Sequence, residues 1–150
     1  MRLCPVLLLI MAAAPARADE YERQPAIDIL HYEIALELID ASDTVQASTR
    51  ISVRMLRDGV EEMWLDFAGM SIDELRAGGT GRPFVHRNGR LSFRLDRAYK
   101  YHQIAIVEVR YHGKLDGSGW LAGKNRHGHR VYFAENWPDH AHDWFPSVDH

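Results

Sequence analysis

From Leu30 to Leu38 the chain reads Leu-His-Tyr-Glu-Ile-Ala-Leu-Glu-Leu, which sets Leu30, Tyr32, Ile34, Leu36 and Leu38 on one side and His31, Glu33 and Glu37 on the other. Successive side chains of an extended chain point to opposite faces, so this rhythm predicts a half-buried strand with the apolar set turned inward. The same period returns in Thr49-Arg-Ile-Ser-Val-Arg-Met55, with Ile51, Val53 and Met55 inward, after a turn-like Asp40-Ala-Ser-Asp43. The two runs predict a hairpin with a slightly long loop.

Further short segments follow at intervals of roughly ten residues: Glu62 to Phe67, Ser71 to Arg76, Pro83 to His86, Arg90 to Leu95, Gln103 to His112 and Arg130 to Phe133. Regularly spaced short strands point to a sandwich or barrel. Between Phe84-Val85 and Leu91-Ser-Phe93, Asn88-Gly89 predicts a tight hairpin turn, because both residue types tolerate positive φ. Between Ile104 and Tyr111 the inward parity is expected to switch, from Ile104 and Ile106 to Val107, Val109 and Tyr111, through a bulge or through burial of a central strand on both faces. No run outside the N-terminal stretch carries apolar residues at helical spacing, so the chain is expected to be all-β. After Tyr111 a glycine-rich, polar crossing spans Gly113 to His129, without the spacing of a phosphate loop.

The first eighteen residues stand apart. Met1-Arg2, an apolar run from Leu3 to Ala14, and Pro15-Ala-Arg-Ala18 before Asp19-Glu20 have the order of a secretory signal peptide. The run is too short to span about 30 Å of hydrocarbon. The organisation expected is therefore a signal peptide at 1–18 and one β-domain at 19–150, periplasmic or secreted, with no membrane association after cleavage. The single cysteine, Cys4, leaves with the signal, so the mature chain has neither disulfide nor thiolate ligand and must rest on an apolar core. A formal charge of -3, with basic and acidic residues interleaved, carries no nucleic-acid footprint.

Two histidine pairs are candidate metal ligands, His127-Gly-His129 and His140-Ala-His142, the second beside Asp139 and Asp143. The alternative is a solvated loop whose histidines bond to nearby carboxylates. H-E-x-x-H is absent, since no histidine is followed by glutamate, and so is a G-x-S-x-G elbow; Gly117-Ser-Gly119 reads as a turn. No catalytic set and no metal site emerges from the residues alone. The densest signal is the run from Arg130 to His150. There Glu135 at a strand end beside Trp137, Trp144 and Phe145 forms either an acidic spot suited to a cationic amine, or an aromatic cap on the sandwich with surface carboxylates around it.

This run resembles the aminopeptidase N family of zinc metallopeptidases, in the stretch that reads T-Q-x-E-P-x-x-A-R-x-x-F-P-C-x-D-E-P. Phe145-Pro-Ser-Val-Asp149 falls on F-P-C-x-D, Ala141 on the alanine, Pro138 on the first proline and Glu135 on the glutamine. Upstream, His31-Tyr-Glu-Ile-Ala-Leu36 is similar to H-Y-x-L-x-L and Tyr111-His-Gly-Lys-Leu115 to Y-x-G-x-L, so the likeness covers nearly all of the mature chain. Departures are Trp137 at the glutamate that clasps the substrate's amino group, Ser147 at the cysteine and His142 at the arginine. Ala134-Glu-Asn136 also echoes the family's A-M-E-N motif, but its flanks fit the other register.

The resemblance implies a saddle-shaped, non-catalytic N-terminal β-domain. It would pack on a zinc catalytic domain of the same polypeptide, with Glu135 and Trp137 as substrate-binding residues at the pocket for a peptide's first residue. Zinc is expected only in the full-length protein. Because the sequence stops inside the motif, it is expected to be C-terminally incomplete and inactive alone. The other class of function consistent with the residues is a free-standing periplasmic β-sandwich that binds carbohydrate or peptide through Trp120, Trp137 and Trp144.

Overall fold

The computed structural model describes residues 22–38, 42–114 and 119–149. The signal-peptide stretch with Cys4, the Asp40-Ala41 turn residues, Gly117-Ser118 and His150 lie outside the described residues. Ten strands account for most of the rest: β1 (Ile27–Glu37), β2 (Thr44–Met55), β3 (Val60–Asp66), β4 (Ser71–Ala77), β5 (Thr80–Gly81), β6 (Phe84–Arg87), β7 (Arg90–Tyr99), β8 (Ile104–Lys114), β9 (Trp120–Lys124) and β10 (Arg130–Ala134). One 3₁₀ turn, Ala141–Asp143, follows them. No helix of the described residues is long and apolar enough to cross a membrane.

All pairings are antiparallel. One sheet has the order β1-β2-β8-β4-β5, a second β3-β7-β6, and β9 and β10 form a hairpin of their own. The all-β fold read from alternation is the fold present. A single cluster of buried side chains joins the two larger sheets: Val45, Ile51, Val53 and Met55 of β2 and Val107, Val109 and Tyr111 of β8 meet Met63 and Leu65 of β3 and Leu91, Phe93 and Leu95 of β7. Within it the Tyr111 and Thr49 hydroxyls share a hydrogen bond of 3.0 Å, so two buried polar groups satisfy each other.

Asn88 and Gly89 both take positive φ, 52° and 72°, and close the β6–β7 hairpin as their chemistry predicts. Two parity expectations are corrected. On β1 the register slips between Ile29 and His31, which makes Leu30 the extra residue of a bulge and leaves it exposed; Ile27 and Ile29 face inward before the slip, and Tyr32, Ile34 and Leu36 after it. On β8 no switch occurs. Its pairing with β2 is continuous, Ala105, Val107, Val109 and Tyr111 all face inward, and Ile104 lies on the outer face. The expected glycine-rich crossing is also corrected in part, since Trp120–Lys124 is a strand paired with Arg130–Ala134.

The free edge of β3 has an unusual partner. The buried amide of Gln24 donates to the Trp64 carbonyl (2.8 Å) and accepts from the Trp64 N–H (3.1 Å), so one side chain occupies both backbone groups at that position.

Candidate functional site

The segment after β10 is laid back across the sandwich. Asp66, the last residue of β3, forms an isolated antiparallel bridge with Ser147, through Asp66 N–H to the Ser147 carbonyl (2.8 Å) and Ser147 N–H to the Asp66 carbonyl (3.0 Å). Ala68 N–H donates to the His142 carbonyl (2.9 Å), Asp149 N–H to Asp66 Oδ2 (3.0 Å) and Val148 N–H to Tyr32 Oη (3.0 Å). Gly69 is required by this crossing, since a Cβ there would lie 2.0 Å from the Asp143 carbonyl oxygen.

Aromatic side chains fill the space beneath. Trp120 of β9 packs on Trp144 at 4.9 Å between centroids, Trp144 meets Phe145 at 4.7 Å, and Phe145 stands edge-on to Tyr32 at 5.6 Å. Trp144 Nε1 donates to Asn136 Oδ1 (2.8 Å), which fixes the loop leading into the segment. Trp120 and Trp144 are both buried. The three-tryptophan binding face is therefore not assembled: two of its members are core, and only Trp137 reaches solvent.

Charged groups are concentrated at the same place. His142 Nδ1 lies 2.5 Å from Asp149 Oδ2, Ser147 Oγ donates to Asp149 Oδ1 (2.8 Å), and His140 Nδ1 lies 3.0 Å from Asp143 Oδ2. Burial holds the Asp66 carboxyl above the usual carboxylate range; the Asp149 charge adds to this, while the Asp149 N–H, Arg90 and His142 oppose it. Burial also pushes the Tyr32 phenol up to about 12. In the other histidine pair, Asn125 Oδ1 accepts the N–H groups of both His127 (2.9 Å) and His129 (3.0 Å), and His127 Nε2 accepts from Arg126 Nε (2.9 Å). Among the described residues no group of three or more His, Cys, Asp or Glu side chains is arranged to hold a metal ion, and the donor set does not fit zinc.

Glu135 and Trp137 sit together on the loop after β10. Glu135 N–H donates to the Gly119 carbonyl (3.0 Å), and its Oε1 accepts the Trp137 N–H (3.3 Å). With Asn136 held by Trp144 and by the His140 N–H (3.0 Å), the loop is tied at both ends and Trp137 projects outward, 81% exposed.

The hairpin that carries this loop buries one face and bares the other. Trp120 and Tyr132 turn inward, whereas Leu121, its cross-strand partner Phe133 (59% exposed) and Val131 face solvent. Sequence reading missed this apolar face because Gly123 and Lys124 interrupt the alternation of β9. The available signal was the short apolar run Trp120-Leu-Ala122, separated by the seven residues 123–129 from the run that starts at Arg130. The bonds by which Tyr32 and Asp66 anchor Val148 and Asp149 had no local signal.

No protein-family model matches the chain, and no curated protein matches it. Solved structures do. A two-domain M1 zinc metallopeptidase variant bound to L-tryptophan superposes with a TM-score of 0.70 at 18% identity, over 85% of this chain and 30% of that one. The M1 zinc metallopeptidase of Deinococcus radiodurans gives 0.67 at 18% identity over the same shares. Native yeast LTA4 hydrolase gives 0.69 at 15% identity, over 83% of this chain and 21% of the hydrolase. The chain thus has the β-domain fold found within M1 zinc metallopeptidases, which is the fold its sequence resemblance implied. It spans about three tenths or less of the length of the proteins it matches.

Proposed function

We propose that this chain is the N-terminal, non-catalytic β-domain of an exported M1-type zinc aminopeptidase. In that reading residues 1–18 direct it to the periplasm or the medium, and residues 19–150 pack on a zinc catalytic domain of the same polypeptide. The observation that carries the reading is the fold likeness, which takes in 85% of this chain but only 30% of an M1 chain. The bare apolar face of the β9–β10 hairpin, with Leu121, Val131 and Phe133, supports it, because clustered exposed apolar side chains mark a surface that a partner covers.

Glu135 and Trp137 then line the pocket for the first residue of a peptide. The Glu135 carboxylate attracts a cationic amino group or basic side chain, and the Trp137 indole offers an apolar wall that also favours cations over its face. Zinc would supply Lewis-acid chemistry in the full-length protein. Its ligands and general base belong to the other domain, for this sequence has no H-E-x-x-H and the described residues offer no suitable donor set.

The test is an assay of the purified 150-residue chain with an aminoacyl chromogenic substrate and added zinc. No turnover is expected; turnover that a chelator abolishes would overturn the reading. Sequencing the gene around these codons gives the complementary check, with H-E-x-x-H expected in the same frame within a few hundred codons, a spacing estimated from the size of structural domains.

A further inference from the structure

Asn136 stands between the two residues proposed for the peptide pocket, Glu135 and Trp137, on the loop after β10. In the resemblance it falls on the unspecified position between the motif's glutamine and glutamate, so the motif gives it no role. In the structure its Oδ1 accepts the Trp144 indole N–H (2.8 Å), and its carbonyl accepts the His140 N–H (3.0 Å), which closes residues 136–140 into one turn. Its neighbour adds a local bond across it, Glu135 Oε1 accepting the Trp137 N–H (3.3 Å).

Both ends of the loop rest on Gly119. The Gly119 carbonyl accepts the Glu135 N–H (3.0 Å), and its bare α-carbon abuts the far end, since a Cβ there would lie 2.4 Å from the His140 carbonyl oxygen. The Asn136 amide adds a tie to the core. Trp144 is buried and packs on Trp120 and Phe145. An indole N–H withdrawn from water costs free energy unless an acceptor meets it. The neighbouring Trp120 Nε1 is buried with no partner among the described residues, so this aromatic cluster already carries one such cost. Asn136 prevents a second, and the exposed loop is thereby bonded to a side chain that cannot move without disturbing its packed neighbours.

We propose that Asn136 is a positioning residue for the pocket loop: by accepting the Trp144 indole N–H it passes the rigidity of the aromatic cluster to Glu135 and Trp137. The inference rests on the reading of Glu135 and Trp137 as substrate-binding residues. Affinity for a cationic amine then depends on a side chain bonded to the core. The tie can be cut without unfolding the sandwich, because the main body of buried side chains lies between the two larger sheets.

The experiment is amide hydrogen exchange followed by NMR on the 150-residue chain, with a parallel titration of L-arginine amide. Asn136→Ala removes the acceptor, Trp144→Phe removes the donor and keeps an aromatic ring, and Asn136→Asp keeps an acceptor oxygen. In the first two, exchange of the Glu135, Trp137 and His140 amides is expected to quicken roughly three- to tenfold, the worth of one intramolecular hydrogen bond, while amides of the central strands β2 and β8 exchange as in wild type. Asn136→Asp is expected to restore wild-type exchange. If Trp144→Phe fails to fold, the two Asn136 variants decide. Loop exchange in Asn136→Ala equal to wild type overturns the proposal. So does quickening that spreads evenly over β2 and β8, which would make Asn136 a general stabiliser. In the titration, arginine amide is expected to shift the Glu135 and Trp137 resonances of the wild type and to bind Asn136→Ala more weakly by a similar factor. A wild type that does not respond, while loop exchange still follows Asn136, overturns the pocket reading and leaves the tie standing.

Discussion

Gly69 and Asp66 show how single residues govern where the C-terminal segment lies. At Gly69 the obstacle to any side chain is a backbone oxygen 2.0 Å from the ideal Cβ, and backbone cannot rotate away as a flexible side chain can. Gly69→Ala is expected to destabilise by at least about 2 kcal/mol in urea titration, whereas Gly59→Ala, which meets only open space and the cost of a positive φ, loses about 1 kcal/mol. Comparable losses at the two sites would show that the segment yields. Asp66 has its folded-state pKa raised, so its contribution to stability is complete below the unfolded-state value and is lost as pH rises through the folded-state value. Asp66→Asn removes that loss while keeping an acceptor for the Asp149 N–H. Relative to wild type, the variant should therefore gain stability between acid and neutral pH; a stability difference that does not change with pH would contradict the assignment.

At the scale of elements, tryptophans that look alike in the sequence have opposite roles. Trp144 is locked between Trp120 and Phe145 and bonded to Asn136, so Trp144→Ala is expected to cost about 3–5 kcal/mol and to release the segment it anchors. Trp137→Ala should leave stability within about 0.5 kcal/mol of wild type, because the side chain is solvated. Thermal melting of the two variants, read at equal concentration, separates these outcomes. Strands were legible wherever one face is wet, which is why Ile51, Val53 and Met55 and the turn at Asn88-Gly89 were placed from sequence. Legibility failed for β5, two residues long, and for β9, where glycine and lysine erase the period. It failed at Leu30 and Ile104 because a bulge and a sheet end set their burial, and neither has a local signature.

For the whole molecule, the contacts that define the candidate site are the least local of all. Tyr32 bonds to Val148 across 116 residues and Asp66 to Asp149 across 83, pairings that no pattern in a short window encodes. Sequence resemblance nonetheless put Glu135, Trp137 and the Phe145 to Asp149 run in one neighbourhood, and the described residues do lie along one loop and strap. The strap's carboxylates and histidines satisfy one another, His140 bonding to Asp143 and His142 to Asp149, which is the bonding to nearby carboxylates that the sequence offered beside metal ligation.

The Gln24 amide has a bearing on how this chain behaves in crowded solution. An exposed strand edge is a template on which any extended polypeptide can grow, and native β-proteins block such growth with charge, bulges or cover. Here the block has two parts: the Gln24 side chain, whose donor and acceptor imitate a neighbouring strand at Trp64, and the Ser147 backbone, which bridges the next outward-facing position at Asp66. Folding and resistance to fibril growth are thus coupled through two segments remote in sequence: the β3 edge stays open at Trp64 until Gln24 docks and at Asp66 until Ser147 does, and the hazard ends when both have arrived.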